Sequence, residues 1–212
     1  MFPVETIHTL IGTSKSGKSY LLKHMLTSML RRGDVKFGLV FTATKFNSSY
    51  DWLPDDKVFA GFDMEVLTNW LKFLMRIKKS GKEIPPSFIV FDDIIDSLPQ
   101  STWEWRQFIS TFRHLKFTLF FTTQFPMQIA TLLRSQTEYA YLFQMHNDAQ
   151  FISSYKSFGG LLKNVHAWRA YLNKYTGDYK CVIWHREAKS ELAHKYKQYK
   201  APKEGKAVRF EF

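Results

Sequence analysis

The sequence predicts an α/β fold: three layers, with a mainly parallel central sheet and helices on both faces. Three observations predict it. Continuous apolar runs such as Ser87-Phe88-Ile89-Val90-Phe91 have the character of strands buried on both sides. Segments with apolar residues at helical spacing alternate with these runs, an order that builds parallel sheets through crossover connections. Between the first such run and the first such segment stands Gly12-Thr13-Ser14-Lys15-Ser16-Gly17-Lys18-Ser19, which fits the phosphate-loop pattern G-x-x-x-x-G-K-[ST].

In order, Thr6 to Ile11 is the first strand. Leu21, Leu22, Met25, Leu26, Met29 and Leu30 mark a helix closed by Arg31-Arg32-Gly33, cations and a glycine suited to a helix end. Lys36 to Thr42 is a second buried strand, and Asn47 to Asp56 is a polar loop. Asp63 N-caps a helix with Val66, Trp70, Phe73, Leu74 and Ile77 on one face, ended by Lys78-Lys79-Ser80-Gly81. After Pro85-Pro86 comes the apolar strand that ends in Asp92-Asp93. Ser101-Thr102-Trp103-Glu104 reads as a capping box before Trp105, Phe108, Ile109 and Phe112. Phe117 to Thr123 is the next strand, and Pro126 suits the first turn of a helix carrying Ile129, Leu132 and Leu133. Tyr139 to Met145 is a strand, Asn147 caps another helix, and Gly159-Gly160 stops it. Leu161, Val165, Trp168, Leu172 and Tyr175 mark a last helix. Thr176-Gly177-Asp178 then turns the chain into an edge strand, Tyr179 to Trp184.

With 212 residues, 45% hydrophobic and 17% aromatic, the chain can bury the core of one α/β domain. Residues 1–186 are expected to form that domain and 187–212 a basic C-terminal tail. A single cysteine, Cys181, excludes an internal disulfide framework and points to a reducing compartment. The histidines lack metal-ligand spacing, which argues against zinc. No apolar run approaches a membrane span and no basic-then-apolar leader opens the chain, so a soluble, intracellular protein is expected. A net charge of +11 points to a polyanionic partner, nucleic acid first and an acidic membrane surface second.

The loop's chemistry follows from its residues. Glycines let backbone N–H groups turn inward as an anion-binding nest, and the following helix adds its positive end. Lys18 reaches the β/γ-phosphates and the Ser19 hydroxyl holds Mg²⁺. The nucleotide-binding candidates are Gly12, Thr13, Ser14, Lys15, Ser16, Gly17, Lys18, Ser19 and Tyr20. Asp92, at the carboxyl end of its strand, is placed to hold Mg²⁺, and Asp93 to polarise an attacking water; a surface turn is the alternative. Phe117 to Thr123 ends in Gln124, an amide able to hydrogen-bond both γ-phosphate and water.

These three pieces together resemble the FtsK–HerA superfamily of DNA-pumping ATPases, most of all its viral branch, the poxvirus-type genome-packaging ATPases. Phe112-Arg113-His114-Leu115 and Leu132-Leu133-Arg134-Ser135 belong to the resemblance, which covers roughly residues 5 to 145. It implies a P-loop NTPase of the RecA/ASCE type that binds ATP and Mg²⁺. It implies a homo-oligomeric ring, usually hexameric, that moves double-stranded DNA through its centre without reading bases and docks at a capsid vertex or membrane protein. In such rings a neighbouring subunit supplies an arginine finger; Arg113 is the first candidate, Arg134 the second and Arg106 the third, with a surface ion pair as the alternative for each. Many related ATPases have glutamate where this chain has the shorter Asp93.

Two other readings stay open. A nucleotide or nucleoside kinase would need an arginine-rich lid, which is not evident, and would leave Gln124 without a task. A DNA-binding protein that is not a packaging motor, using nucleotide as a structural ligand, would not need Lys18, Asp92 and Asp93 together. A GTPase fits less well, because Asn173-Lys174-Tyr175-Thr176 lacks the aspartate that reads guanine.

Overall fold

The computed structural model describes residues 2–203 and 210. Its frame is one sheet of eight strands: β1 (Ile7–Ile11), β2 (Phe37–Thr42), β3 (Val58–Ala60), β4 (Ser87–Asp92), β5 (Phe117–Thr123), β6 (Tyr139–Leu142), β7 (Lys180–His185) and β8 (Tyr196–Lys200). Their order across the sheet is β3-β2-β4-β5-β1-β6-β7-β8. All neighbours from β3 to β6 are parallel; β7 is antiparallel to both β6 and β8. This is the predicted mainly parallel sheet, and its helices lie on both faces.

The faces are covered unequally. Alternate residues of each central strand point to opposite sides. Ile7, Ile11, Ile89, Phe91, Leu119 and Phe121 join the core beneath α2 (Met64–Lys79), α3 (Trp103–Thr111), α4 (Thr131–Gln136), α5 (Asp148–Phe158) and α6 (Val165–Tyr175). Leu10, Phe88, Val90 and Phe120 join the second core, whose helical contribution is α1 (Lys18–Arg32) through Leu21, Leu22, Met25, Leu26 and Met29. Both sides of β4 and β5 are therefore dry, which explains their unbroken apolar runs. His8 lies wholly buried in this second core, stacked between Phe120 and Tyr139. Burial pushes its pKa down to about 4, and the neutral ring is satisfied by the Pro3 carbonyl at 2.9 Å and the Tyr141 hydroxyl at 3.1 Å. It is a core histidine.

Several boundaries differ from the expectations. The cap of α3 is Thr102, whose hydroxyl accepts from the Trp105 N–H, one residue later than the capping-box reading. After β5, Pro126 opens a single 3₁₀ turn and not a helix; α4 begins only at Thr131. Leu161 precedes α6 instead of belonging to it. The polar stretch after β2 contains two 3₁₀ turns, Lys45–Asn47 and Asp55–Lys57, and leads into β3, a three-residue strand too short to show a pattern.

The strand at Lys180 is not the edge. β8, from within the expected tail, pairs with it from Lys180↔Lys200 to Trp184↔Tyr196. Its sequence, Tyr196-Lys197-Gln198-Tyr199-Lys200, is polar because an edge strand is protected by exposed lysines, while Tyr196 turns inward and donates a hydrogen bond to the Phe158 carbonyl. Residues 204–209 and 211–212 of that tail lie outside the described residues. Ending the chain after Arg186 should uncover β7 and lower the thermal midpoint by about 10 °C, since loss of a strand and a buried tyrosine costs several kcal/mol. An unchanged midpoint in differential scanning calorimetry would show that residues 187–212 add nothing to the fold.

Candidate active site

The phosphate loop connects β1 to α1 at the carboxyl edge of the parallel strands. Gly12 donates its N–H to the Thr123 carbonyl at 3.2 Å, and Thr13 donates to the Gln144 carbonyl at 3.1 Å, so the loop is tied to the ends of β5 and β6. Gly12 has to be glycine for space: a Cβ there would lie 2.6 Å from that of Phe143. Gly17 has to be glycine for conformation, since it caps α1 with φ of 109°. The Lys18 ammonium folds back over the loop and donates to the Gly12 carbonyl at 2.7 Å and the Thr13 carbonyl at 2.9 Å. Burial lowers the pKa of Lys18, and the charges of Asp93 and Asp92 counter that shift.

The two acids come from β4. The register Asp92↔Thr122 and Ile11↔Thr123 brings the ends of β4, β5 and β1 to one level. Asp92 is buried and accepts from the Thr122 hydroxyl at 2.6 Å and the Thr42 hydroxyl at 3.2 Å. Asp93 is exposed, in a left-handed conformation with φ of 55°. Its N–H is held by the same Thr122 oxygen at 2.9 Å. Gln124 donates its side-chain amide to Asp93 at 3.3 Å, while the Gln150 amide donates to its backbone carbonyl at 3.1 Å. Loop, acids and amide therefore converge on one edge of the sheet.

The buried Ser16 hydroxyl in the loop has no hydrogen-bond partner, whereas the Tyr50 hydroxyl lies buried against Asp92. Burial, followed by the nearby Asp92 charge, raises the Tyr50 pKa well above the ordinary phenol value. Unpaired buried hydroxyls are costly. A nucleotide phosphate or the water shell of a hydrated cation is a partner of the right chemistry, and the donor set of Ser19, Asp92 and phosphate oxygens suits Mg²⁺.

Arg113 lies at the opposite end of β5 from this edge. Arg113 sits in a 3₁₀ turn, Phe112–Leu115, before β5, about a strand's length from Gln124. It forms an ion pair with buried Glu138, lies over the Phe112 ring, and shares Glu138 with Arg186 at 3.5 Å. Arg134, in the last turn of α4, reaches Thr131 at 3.2 Å and the Met127 sulfur at 3.7 Å. Arg106 is exposed on α3.

The fold has counterparts among solved structures. The genome packaging NTPase B204 of Sulfolobus turreted icosahedral virus 2, in complex with ATP-gammaS, superposes with a TM-score of 0.65 at 18% identity, covering 92% of this chain and 96% of that one. Its complex with AMPPCP gives a TM-score of 0.67. EssC (ATPases 2 and 3) of Geobacillus thermodenitrificans gives 0.62 at 12% identity, over 95% of this chain and 41% of that one. The fold is that of the phosphate-loop NTPases.

Sequence relatives are viral. Protein 075L of Invertebrate iridescent virus 6 is 23% identical over 172 residues, 80% of this chain and 66% of its own length. Protein L437 of Acanthamoeba polyphaga mimivirus is 25% identical over 188 residues, 82% of this chain and 64% of its own. The chain thus spans just under two thirds of these relatives. No family model matches the sequence.

Read from sequence alone, Thr42, Tyr50, Thr122 and Gln150 have no role at the site, although Thr122 stands in the Thr122-Thr123-Gln124 strand end and Gln150 beside the Asn147 cap. Threonine is common in strands, and a lone tyrosine in a polar loop carries no signature, so nothing marks these residues before the strands are paired. Thr122→Val keeps the shape but removes both hydrogen bonds that seat the acids, and should cost about 1–3 kcal/mol of stability. A urea midpoint equal to that of the unaltered chain would show that Thr122 does not hold them.

Proposed function

We propose that this chain is an ATP-hydrolysing DNA translocase of the FtsK–HerA type, a motor that packages double-stranded DNA into a viral capsid. The observation that carries the hydrolytic part is the strand order β4-β5-β1, with acids, glutamine and phosphate loop level at one edge. Water attack on a γ-phosphate needs these groups side by side.

In this reading Lys18 leaves the Gly12 and Thr13 carbonyls for the β/γ-phosphates, which its low-dielectric setting strengthens. Residues Gly12 to Tyr20 cradle the phosphates through backbone N–H groups. Ser19 and Asp92 would hold Mg²⁺, which when bound would offset charge developing on the phosphate oxygens. Asp93 accepts the proton of the attacking water. Gln124, already hydrogen-bonded to Asp93, orients that water and senses the γ-phosphate. Arg113 stands at the far end of β5 from the loop of its own chain, which supports a ring in which Arg113 or Arg134 completes the neighbour's site. Arg113 would exchange Glu138 for phosphate as it does so.

The DNA part rests on the +11 net charge, the viral relatives and the likeness in fold to a packaging NTPase. Backbone phosphates would be gripped without base readout. A hexamer seated at a capsid vertex or on a membrane protein is the assembly this mechanism calls for. Among the described residues no helix is long and apolar enough to cross a membrane.

Phosphate release measured with and without double-stranded DNA tests the proposal. The unaltered chain should hydrolyse ATP faster with DNA, and the stimulation should fade as salt rises. Lys18→Ala should abolish turnover, and Asp93→Asn should lower kcat by roughly 10²–10⁴-fold. Indifference to DNA, or transfer of phosphate to a nucleoside, would contradict the motor and favour a kinase.

A further inference from the structure

We infer that the turn Gly177-Asp178-Tyr179-Lys180 forms the base-binding wall of the nucleotide site, with the Tyr179 ring as the face on which the base stacks. The inference rests on the nucleotide-binding reading above and concerns the end of the ligand that the phosphate loop does not hold.

Topology places the turn. β7 runs antiparallel to β6 and β8 runs antiparallel to β7, so the chain enters β7 and leaves β8 at the edge that carries the phosphate loop. A cleft of about 660 Å³ lies there, lined by Lys15, Gly17, Ser19, Tyr20, Tyr179 and Lys203 among others. The groups suited to hydrolysis, Asp92, Asp93 and Gln124, stand on the β4-β5 side of β1. A nucleotide with its γ-phosphate toward them must send its base the other way, toward β6-β7-β8. That direction leads into this cleft.

The backbone supplies a second, independent sign. Lys180 donates its N–H to the Gly177 carbonyl at 2.9 Å, closing a two-residue turn. The two central residues, Asp178 and Tyr179, have φ of 49° and 59°, the left-handed pair of a type I′ turn. Such turns favour Asn-Gly, and a tyrosine held there costs on the order of 1–2 kcal/mol. Burial does not offset that cost, because Tyr179 is 62% exposed. The strained geometry puts the Tyr179 side chain against the loop, 3.3 Å from where a Gly17 Cβ would stand. Neighbouring contacts hold the lining of the cleft: the Tyr20 hydroxyl donates to the Pro202 carbonyl at 2.7 Å, and Lys200 pairs with Asp178 of the turn itself at 2.5 Å. A flat, exposed ring beside a phosphate loop is what a nucleobase needs for stacking.

The test compares a ligand that has a base with one that lacks it. Binding of AMPPCP and of inorganic tripolyphosphate would be measured by calorimetry on the full chain, Tyr179→Ala and Tyr179→Phe. Tyr179→Ala should weaken AMPPCP about tenfold while changing tripolyphosphate less than about twofold, and Tyr179→Phe should bind both like the unaltered chain. Equal weakening of both ligands by Tyr179→Ala would mean that the ring props the loop, and no weakening of either would mean that it has no role; both overturn the inference. A Tyr179→Phe chain that behaves like Tyr179→Ala would overturn stacking in favour of the hydroxyl. If the unaltered chain binds neither ligand, the nucleotide-binding reading itself falls, and this wall with it.

Discussion

One hydroxyl ties the candidate site together. Thr122 donates to the Asp92 carboxylate and accepts from the Asp93 N–H, so a residue of β5 sets the position of both acids carried by β4. The next residues of β5 hold the loop and face the acids: the Thr123 carbonyl receives Gly12, and Gln124 donates to Asp93. A shift of β5 along its neighbours would move the loop, the acids and the amide together. Dry packing on both faces of β5 resists such a shift, because sliding buried Phe120 and Phe121 means repacking two cores at once.

The unequal layers suit this arrangement. Among the described residues, α1 supplies the helical part of one core, and the phosphate loop leads into its amino end. The opposite face carries α2 to α6 and is the thicker support. Beyond β6, two antiparallel strands widen the sheet and carry an aromatic turn to the side of the loop away from the acids. A phosphate loop needs a wall on each side. β4 and β5 build one, and in the inferred nucleotide site the turn that enters β7, flanked by the end of β8 from the expected tail, builds the other.

What could be read in advance follows from the range of the interactions. The loop, β4 with its two aspartates and β5 with its glutamine are local patterns: apolar runs that stop at polar residues, or a motif between a strand and a helix. β8 was hidden because its lysines protect an edge, and lysine-rich segments elsewhere are usually solvated. Thr42, Thr122 and Tyr50 were hidden because their meaning depends on partners from other strands, some of them 30 residues or more away. Arg113 was noticed as a candidate finger, yet its ion pair with Glu138, across 25 positions, is a tertiary fact no spacing announces. Tyr179 lay within a recognised turn, but its left-handed backbone is visible only in three dimensions.

The central claim is that the three strand ends and the loop make one hydrolytic site. Its most direct test is an experimental structure of the chain with AMPPCP and Mg²⁺. There the Lys18 ammonium should leave the Gly12 and Thr13 carbonyls for the β/γ-phosphates, with the γ-phosphate facing Gln124 and the metal held by Ser19 and Asp92. A nucleotide bound away from this edge, with Lys18 still on those carbonyls, would contradict it.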